Sequence, residues 1–211
     1  NNGAIKSLRE KKRRSIKKGL CSNKPFAIMA PDIDSIRAFC EVSPEEEKAL
    51  LERQRPIVLL EKKKGQLLIN GDVAPGNRRL GVMLPYTPLH RLLFYPNGTF
   101  NALVMTSGNL IDEPIVVDNG EAIKKLSSIA DFFLLHDRGI YMRVDDSILR
   151  IDGKAKRLVR RARGFVPDVI PLDEEMEEVF AAGSLLKNTF CITKGMNAIV
   201  SQHIGDLENF E

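Results

Sequence analysis

Tryptophan is absent from this 211-residue chain, and aromatic residues make up only 6% of it. A surface that stacks single-stranded nucleic acid needs interleaved rings, so the composition argues against that mode of binding. Cysteine is scarce. Cys21, Cys40 and Cys191 are odd in number and show no C-x-x-C spacing, which supports neither a disulfide framework nor a thiolate zinc site. His90, His136 and His203 are scattered singletons, so no metal site is expected. No apolar run is long enough to span a bilayer, and no signal peptide is visible. A reduced, cytoplasmic setting is the expectation, with no membrane partner. Charge of one sign is not dominant either. The 32 basic and 28 acidic residues leave a net charge of +4, compatible with nucleotides, phosphate or carbamoyl substrates or nucleic acid, and selecting none of them.

What is present is a hydrophobic content of 43%, enough for a sizeable core, in a length that favours one globular domain and part of a second. The first residue is Asn rather than Met, which suggests a piece of a longer chain. A helix is expected over Ala4–Arg14, running into the basic residues Lys11, Lys12, Arg13, Arg14, Lys17 and Lys18. A short strand, Phe26–Ala30, and a helical stretch, Asp32–Phe39, follow. Ser43-Pro44-Glu45-Glu46 is a helix start with Ser as N-cap, Pro at N1 and Glu at N3. Strands are expected at Ile57–Leu60, Gly81–Leu84, Ala102–Met105 and Phe132–His136, and helices after Thr87-Pro88 and over Glu121–Ser128. Asp152-Gly153 between Ser147–Ile151 and Lys156–Arg160 signals a hairpin. Interleaved strands and helices make an α/β (α+β mixed) sheet with crossovers. The proline-punctuated exit Val166-Pro167…Pro171 and the acidic run Asp173–Glu178 mark a boundary, giving one unit over 1–172 and a second over 173–211. Ala181–Leu207 is expected to form a hairpin turning near Lys194–Asn197.

Thr106-Ser107-Gly108-Asn109 ends an apolar strand abruptly. Backbone N–H groups and short polar side chains at the carboxyl end of a strand can hold an anion, and Gly108 allows close approach of the backbone. The same residues also make ordinary turns. Other polar clusters end strands too: His136-Asp137-Arg138, Asp145-Asp146-Ser147 and Arg160-Arg161-Ala162-Arg163. The N-terminal basic run is either a solvated helix end or a phosphate clamp. Arg160–Arg163 could equally contact RNA phosphates.

Four blocks, "GVMLPYTPLHRLLF" (81–94), "VMTSGNLIDEPIV" (104–116), "HDRGIYMRVDDSILR" (136–150) and "VRRARGFVP" (159–167), resemble in order the YrdC-like domain of the HypF carbamoyltransferases of NiFe-hydrogenase maturation. The tail, "AAGSLLKNTFCITKGMNAIVSQHIGDLE" (181–208), resembles the opening of that family's Kae1-like domain. The resemblance implies a YrdC-like twisted mixed sheet with flanking helices, followed by a C-terminal β-hairpin segment. It implies an enzyme that uses ATP with Mg2+ and carbamate released from carbamoyl phosphate to form carbamoyl-adenylate and pyrophosphate. The carbamoyl group then passes to the C-terminal cysteine of HypE. Zinc is implied only for regions of the family outside this chain.

The family's Lys-x-Arg falls on Lys12 and Arg14, and its Ser-x-Asn on Ser107 and Asn109. These four are the implied catalytic residues. Thr106 would add a hydroxyl, Lys24 and Lys18 compete with Lys12 for the phosphates, and His136, Arg138, Ser147, Arg160 and Arg163 are implied to line the nucleotide site. Ser107 and Asn109 are expected to face a cleft shared by the basic segment and Arg160–Arg163. The chain departs from the pattern where Ser15 follows Arg14 in place of a proline, where Arg91 follows His90, and at Gly139. Two other readings stay open. One is a threonylcarbamoyl-adenylate synthase of tRNA modification, which shares the fold and the Ser-x-Asn. The other is a YrdC-like module that binds double-stranded RNA without catalysis.

Overall fold

The computed structural model describes residues 2–12, 23–95, 100–110, 113–185 and 188–205. Its larger unit is a six-stranded mixed sheet in the order β4-β1-β3-β2-β5-β6. The strands are β1 (Ala27–Met29), β2 (Ile57–Glu61), β3 (Arg79–Met83), β4 (Leu103–Met105), β5 (Ile148–Asp152) and β6 (Ala155–Arg160). β1 runs parallel to β3, and β2 parallel to β5, while the remaining neighbours are antiparallel. The expected mixed α/β class is therefore observed. Helices α1 (Asn2–Lys11), α2 (Ile33–Arg37), α3 (Pro44–Leu51), α4 (Pro88–Phe94) and α5 (Asn119–Leu126) make the connections.

Local chemistry places the helix starts. Asp32 caps α2 by accepting from the Ser35 N–H at 2.7 Å. Ser43 and Glu46 form the reciprocal capping box of α3, with bonds of 2.9 and 3.3 Å, and Thr87 caps α4. Alternation along each strand then sorts the apolar residues onto two faces. One face carries Ile28, Val58, Leu60, Leu80, Val82, Leu149 and Ile151, covered by Ile5, Ile33, Ile36, Ala49 and Leu50 from α1–α3 and by Phe39 from the turn after α2. Each such side chain contributes up to about 1.5–3 kcal/mol of burial. The other face is thinner: Met29, Ile57 and Met83 are covered mainly by Tyr86, Phe94, Met105 and Ile148.

Residues from Ile170 onward make a second sheet, order β7-β9-β8, from β7 (Ile170–Met176), β8 (Phe180–Ala182) and β9 (Phe190–Val200). The sequence boundary at 172/173 falls inside β7, whose first residues already pair with β9 through Ile170↔Ala198 and Pro171↔Asn197. The tail is sheet, as expected, but it does not turn at Lys194–Asn197. β9 runs on through that stretch, and it pairs antiparallel with β8 from Ala182↔Phe190 to Phe180↔Ile192. Gly195, at φ +56°, sits opposite Met176 where the β7–β9 register slips. Its left-handed backbone accommodates a bulge, and a bulge carries the same glycine signal as a turn. Phe132–His136 is not a strand either. The segment joins no sheet, with Phe132 93% and Leu134 69% exposed. An apolar run becomes a strand only where a neighbour supplies ladder partners.

Candidate functional site at the end of strand β4

The Thr106–Asn109 loop leaves β4 next to the start of β1, where Met105 pairs with Ala27. The last turn of α1 reaches it. Lys12 is 6% exposed, and its Nζ donates to the Ser107 carbonyl (3.0 Å), the Asn109 carbonyl (2.6 Å) and Asn109 Oδ1 (3.1 Å). Ser107 Oγ donates to the same Asn109 Oδ1 at 2.7 Å, and Asn109 Nδ2 donates to the Glu113 carbonyl at 2.7 Å. The Val116 N–H closes the loop onto the Gly108 carbonyl at 2.9 Å. An ammonium group, a hydroxyl and an amide thus meet within one turn of backbone. Lys12, Ser107 and Asn109, 95 or more residues apart in the case of the lysine, are brought together.

Arg9 sets α1 in place. It is 7% exposed, donates to the carbonyls of Lys24 (3.3 Å) and Asp72 (3.0 Å), and lies 5.4 Å from the Phe26 ring centroid. Two positions on, Lys11 reaches Asp131 at 2.8 Å and the Ile129 carbonyl at 3.2 Å. The described end of the basic run is therefore pinned against the fold and is not a solvated face. Nothing in the sequence marked Arg9 as a brace, because its partners are backbone carbonyls brought near by folding. Gly108 is exposed, and a Cβ there would meet only Leu126 Cδ1 at 3.7 Å, an ordinary contact. Packing within the chain does not demand glycine at this position.

Other sequence candidates fall elsewhere. Arg14 and Lys18 lie outside the described residues. Thr106 is exposed at the start of the loop. Lys24 is exposed, and its carbonyl accepts from Arg9. His136 and Arg138 are exposed, and the His136 carbonyl accepts from Asn119 Nδ2 at 2.7 Å. Ser147 is fully buried. Its hydroxyl accepts from the Ala162 N–H (2.8 Å) and donates to the Arg163 carbonyl (2.9 Å), so it fastens β5 to the exit of β6. Arg163 donates to Asp146 (2.8 Å) and to the carbonyls of Gln54 (3.1 Å) and Arg55 (2.9 Å), and its guanidinium lies 3.4 Å from the Tyr86 ring centroid. Arg160 meets Asp145 at 3.3 Å, and Asp145 also meets His203 Nδ1 at 2.9 Å. The acidic and basic clusters of the sequence are thus paired with each other. β6, which carries Arg160, and β4 are the two edges of the sheet. No hydrogen bond or ion pair among the described residues joins Arg160 or Arg163 to Ser107 or Asn109.

Beside Arg163, burial raises the Tyr86 phenol above its ordinary 10.0, and Asp146 adds to the effect. Burial lowers His90 from its ordinary 6.5, and its ring meets Tyr86 edge-on with centroids 4.4 Å apart. Among the described residues no group of three or more His, Cys, Asp or Glu is arranged to hold a metal ion.

The fold has counterparts among known proteins. The Sua5/YciO/YrdC family model, described as telomere recombination, matches residues 1–162. The chain belongs to that family. Residues 174–211 match the model of the HypF Kae1-like domain. Carbamoyltransferase HypF of Rhizobium leguminosarum is 42% identical over 216 residues, covering 100% of this chain and 27% of its own length. The probable carbamoyltransferase HypF of Methanocaldococcus jannaschii is 38% identical, covering 89% of this chain and 24% of its own. The chain therefore spans about a quarter of the curated relatives it matches. A crystal structure of full-length HypF in the phosphate- and nucleotide-bound form superposes with a TM-score of 0.88 at 45% identity, covering 100% of this chain and 32% of that one. Sua5 of P. abyssi complexed with L-threonine superposes at 0.62 over 77% of this chain and 45% of its own, but at 15% identity, a likeness of fold alone. The resemblance to HypF found in the motifs holds over the whole chain.

Proposed function

We propose that this chain is the carbamoyl-adenylate-forming region of a HypF-type carbamoyltransferase, with residues 1–172 as the YrdC-like unit and 173–211 as the start of the Kae1-like one. The observation that carries the reading is the pinning of Lys12 to the Ser107–Asn109 loop, which places a fixed positive charge against the strand-end turn. In this reading carbamate from carbamoyl phosphate attacks the α-phosphorus of ATP. The new bond joins a carbamate oxygen to phosphorus, the bond to the β-phosphate oxygen breaks, and pyrophosphate leaves. Such a transfer needs charge neutralisation and positioning more than covalent catalysis.

Lys12 supplies the charge and holds the loop's shape. Ser107 and Asn109 exchange bonds within the loop for bonds to the ligand, and the exposed Thr106 hydroxyl adds a donor. Gly108 keeps the backbone approachable, a use consistent with the absence of any packing demand for glycine there. Arg14 is proposed as the second cation. Mg2+ bound to the polyphosphate itself would supply charge screening there. The carbamoyl group then passes to the C-terminal cysteine of HypE in the complete protein, in the reducing cytoplasm.

The rivals are weaker on specific grounds. A threonylcarbamoyl-adenylate synthase would not account for the match of 174–211 to the HypF Kae1-like domain. A phosphate-binding basic stripe would need free arginines, whereas Arg160 and Arg163 are paired with Asp145 and Asp146. The deciding experiment is pyrophosphate release from ATP by the intact protein. Stimulation by carbamoyl phosphate is expected. Stimulation by threonine plus bicarbonate, with none by carbamoyl phosphate, would move the protein to the tRNA-modification branch.

A further inference from the structure

Residues Glu113–Val116 form a strap over the Ser107–Asn109 loop. The Glu113 carbonyl accepts from Asn109 Nδ2, and the Val116 N–H donates to the Gly108 carbonyl. Between those two stitches, Arg143 Nε donates to the Ile115 carbonyl at 2.7 Å. The same short segment that supplies Arg143 is gripped by the tail. Gln202 Nε2 approaches Met142 Sδ at 3.6 Å, and His203 Nδ1 meets Asp145 Oδ2 at 2.9 Å. The His203 N–H donates to the Arg161 carbonyl at 3.0 Å, and Arg161 Nη1 returns a bond to the Val200 carbonyl at 2.7 Å. Arg160 holds the other oxygen of Asp145. One unbroken run of bonded groups therefore leads from Lys12 and Asn109, through the strap and Arg143–Asp145, to the end of β9.

We propose that Arg143 and Asp145 are positioning residues that couple the seating of the tail sheet, through His203, to the geometry of the Ser107–Asn109 loop. The chemistry fits a load-bearing relay. Asp145 is bonded on both sides, to a strand of the main sheet and to a tail residue whose side chain is only 14% exposed. A shift of His203 moves Asp145, and two residues away Arg143 loses its aim at Ile115. The ligand-binding part of this proposal rests on the adenylate-forming reading above, while the coupling itself does not.

Coupling of this kind is reciprocal, and that sets the test. Hydrogen exchange is measured on the intact, ligand-free protein. His203→Ala should raise exchange of the 107–110 and 113–117 amides by about tenfold, the effect of losing one charge-assisted hydrogen bond. His203→Asn, which keeps a donor near the Nδ1 position, should restore protection, and the exposed β9 substitution Lys194→Ala should leave those amides unchanged. From the other side, Arg143→Gln should raise exchange at Val116 and also along Phe190–Val200. A His203→Ala protein that loosens only the tail overturns the relay. So does an Arg143→Gln protein that loosens only 107–117, and this exposed position keeps the test open if the histidine variant does not fold. Pyrophosphate release is read in parallel, where Arg143→Gln should raise the KM for ATP severalfold with kcat nearly kept. Wild-type protein that releases no pyrophosphate would sink the functional reading and leave the exchange result to decide the coupling.

Discussion

Asn109→Ala separates a loop that merely turns the chain from one held in a set shape. The side chain accepts from Lys12 Nζ at 3.1 Å and from Ser107 Oγ at 2.7 Å, and donates to the Glu113 carbonyl at 2.7 Å. Two neutral bonds contribute about 1 kcal/mol each and the charged one about 1.5–3 kcal/mol. Their sum overstates the loss, because contacting groups are not additive and Asn109 is half-buried, so water replaces part of what is removed. Lys12 also keeps two carbonyl acceptors, so its charge is not stranded. The expected destabilisation is about 2–3 kcal/mol. With a urea dependence of about 2 kcal/mol per molar, the midpoint should fall by about 1 M. The chain has no tryptophan, so unfolding is best followed by far-ultraviolet circular dichroism without nucleotide. Asn109→Asp keeps an acceptor for Lys12 and Ser107 but loses the donor to Glu113 and sets a carboxylate oxygen against that carbonyl. A midpoint for Asn109→Ala indistinguishable from wild type would refute the claim that these bonds shape the loop. If they do shape it, weaker ATP binding by this variant reports lost preorganisation as well as a lost contact.

Two further outcomes are expected. Gly164→Ala should cost about 2–4 kcal/mol, because Gly164 has φ +87° and an added Cβ would lie 2.7 Å from the Gln54 carbonyl oxygen, which also accepts from Arg163; an unchanged melting temperature would contradict this. Burial, with Glu46 adding, pushes the Cys40 thiol up to about 12 from its ordinary 9.0. Between pH 9 and 12 the unfolded chain has lost this proton and the native one has kept it, so stability should fall as pH rises through that window. Cys40→Ala should flatten the alkaline limb of the stability profile, and an equally steep limb in that variant would locate the effect elsewhere.

Local chemistry was legible in the residues themselves. Ser43-Pro44-Glu45-Glu46 and Thr87-Pro88 start helices where their side chains can reach unsatisfied N–H groups, and Asp152-Gly153 turns β5 into β6. These signals act over a few residues, so no distant partner could override them. The Ser-x-Asn at the end of β4 was also legible as a polar floor. The partners of these elements were not. The apolar run at Phe132–His136 promised a strand and found no neighbour, and Gly195 promised a turn and became a bulge inside β9. Ser147, Arg160 and Arg163 read as ligand contacts, and the sequence did not show the partners that folding gives them within the chain, the Ala162 N–H for the hydroxyl and Asp145 and Asp146 for the arginines. A charged side chain states in the sequence only that it needs a counter-charge or acceptors. Which one it gets is decided by the register of β5 on β6 and by the tail that brings His203 to Asp145, and those depend on packing across the whole sheet.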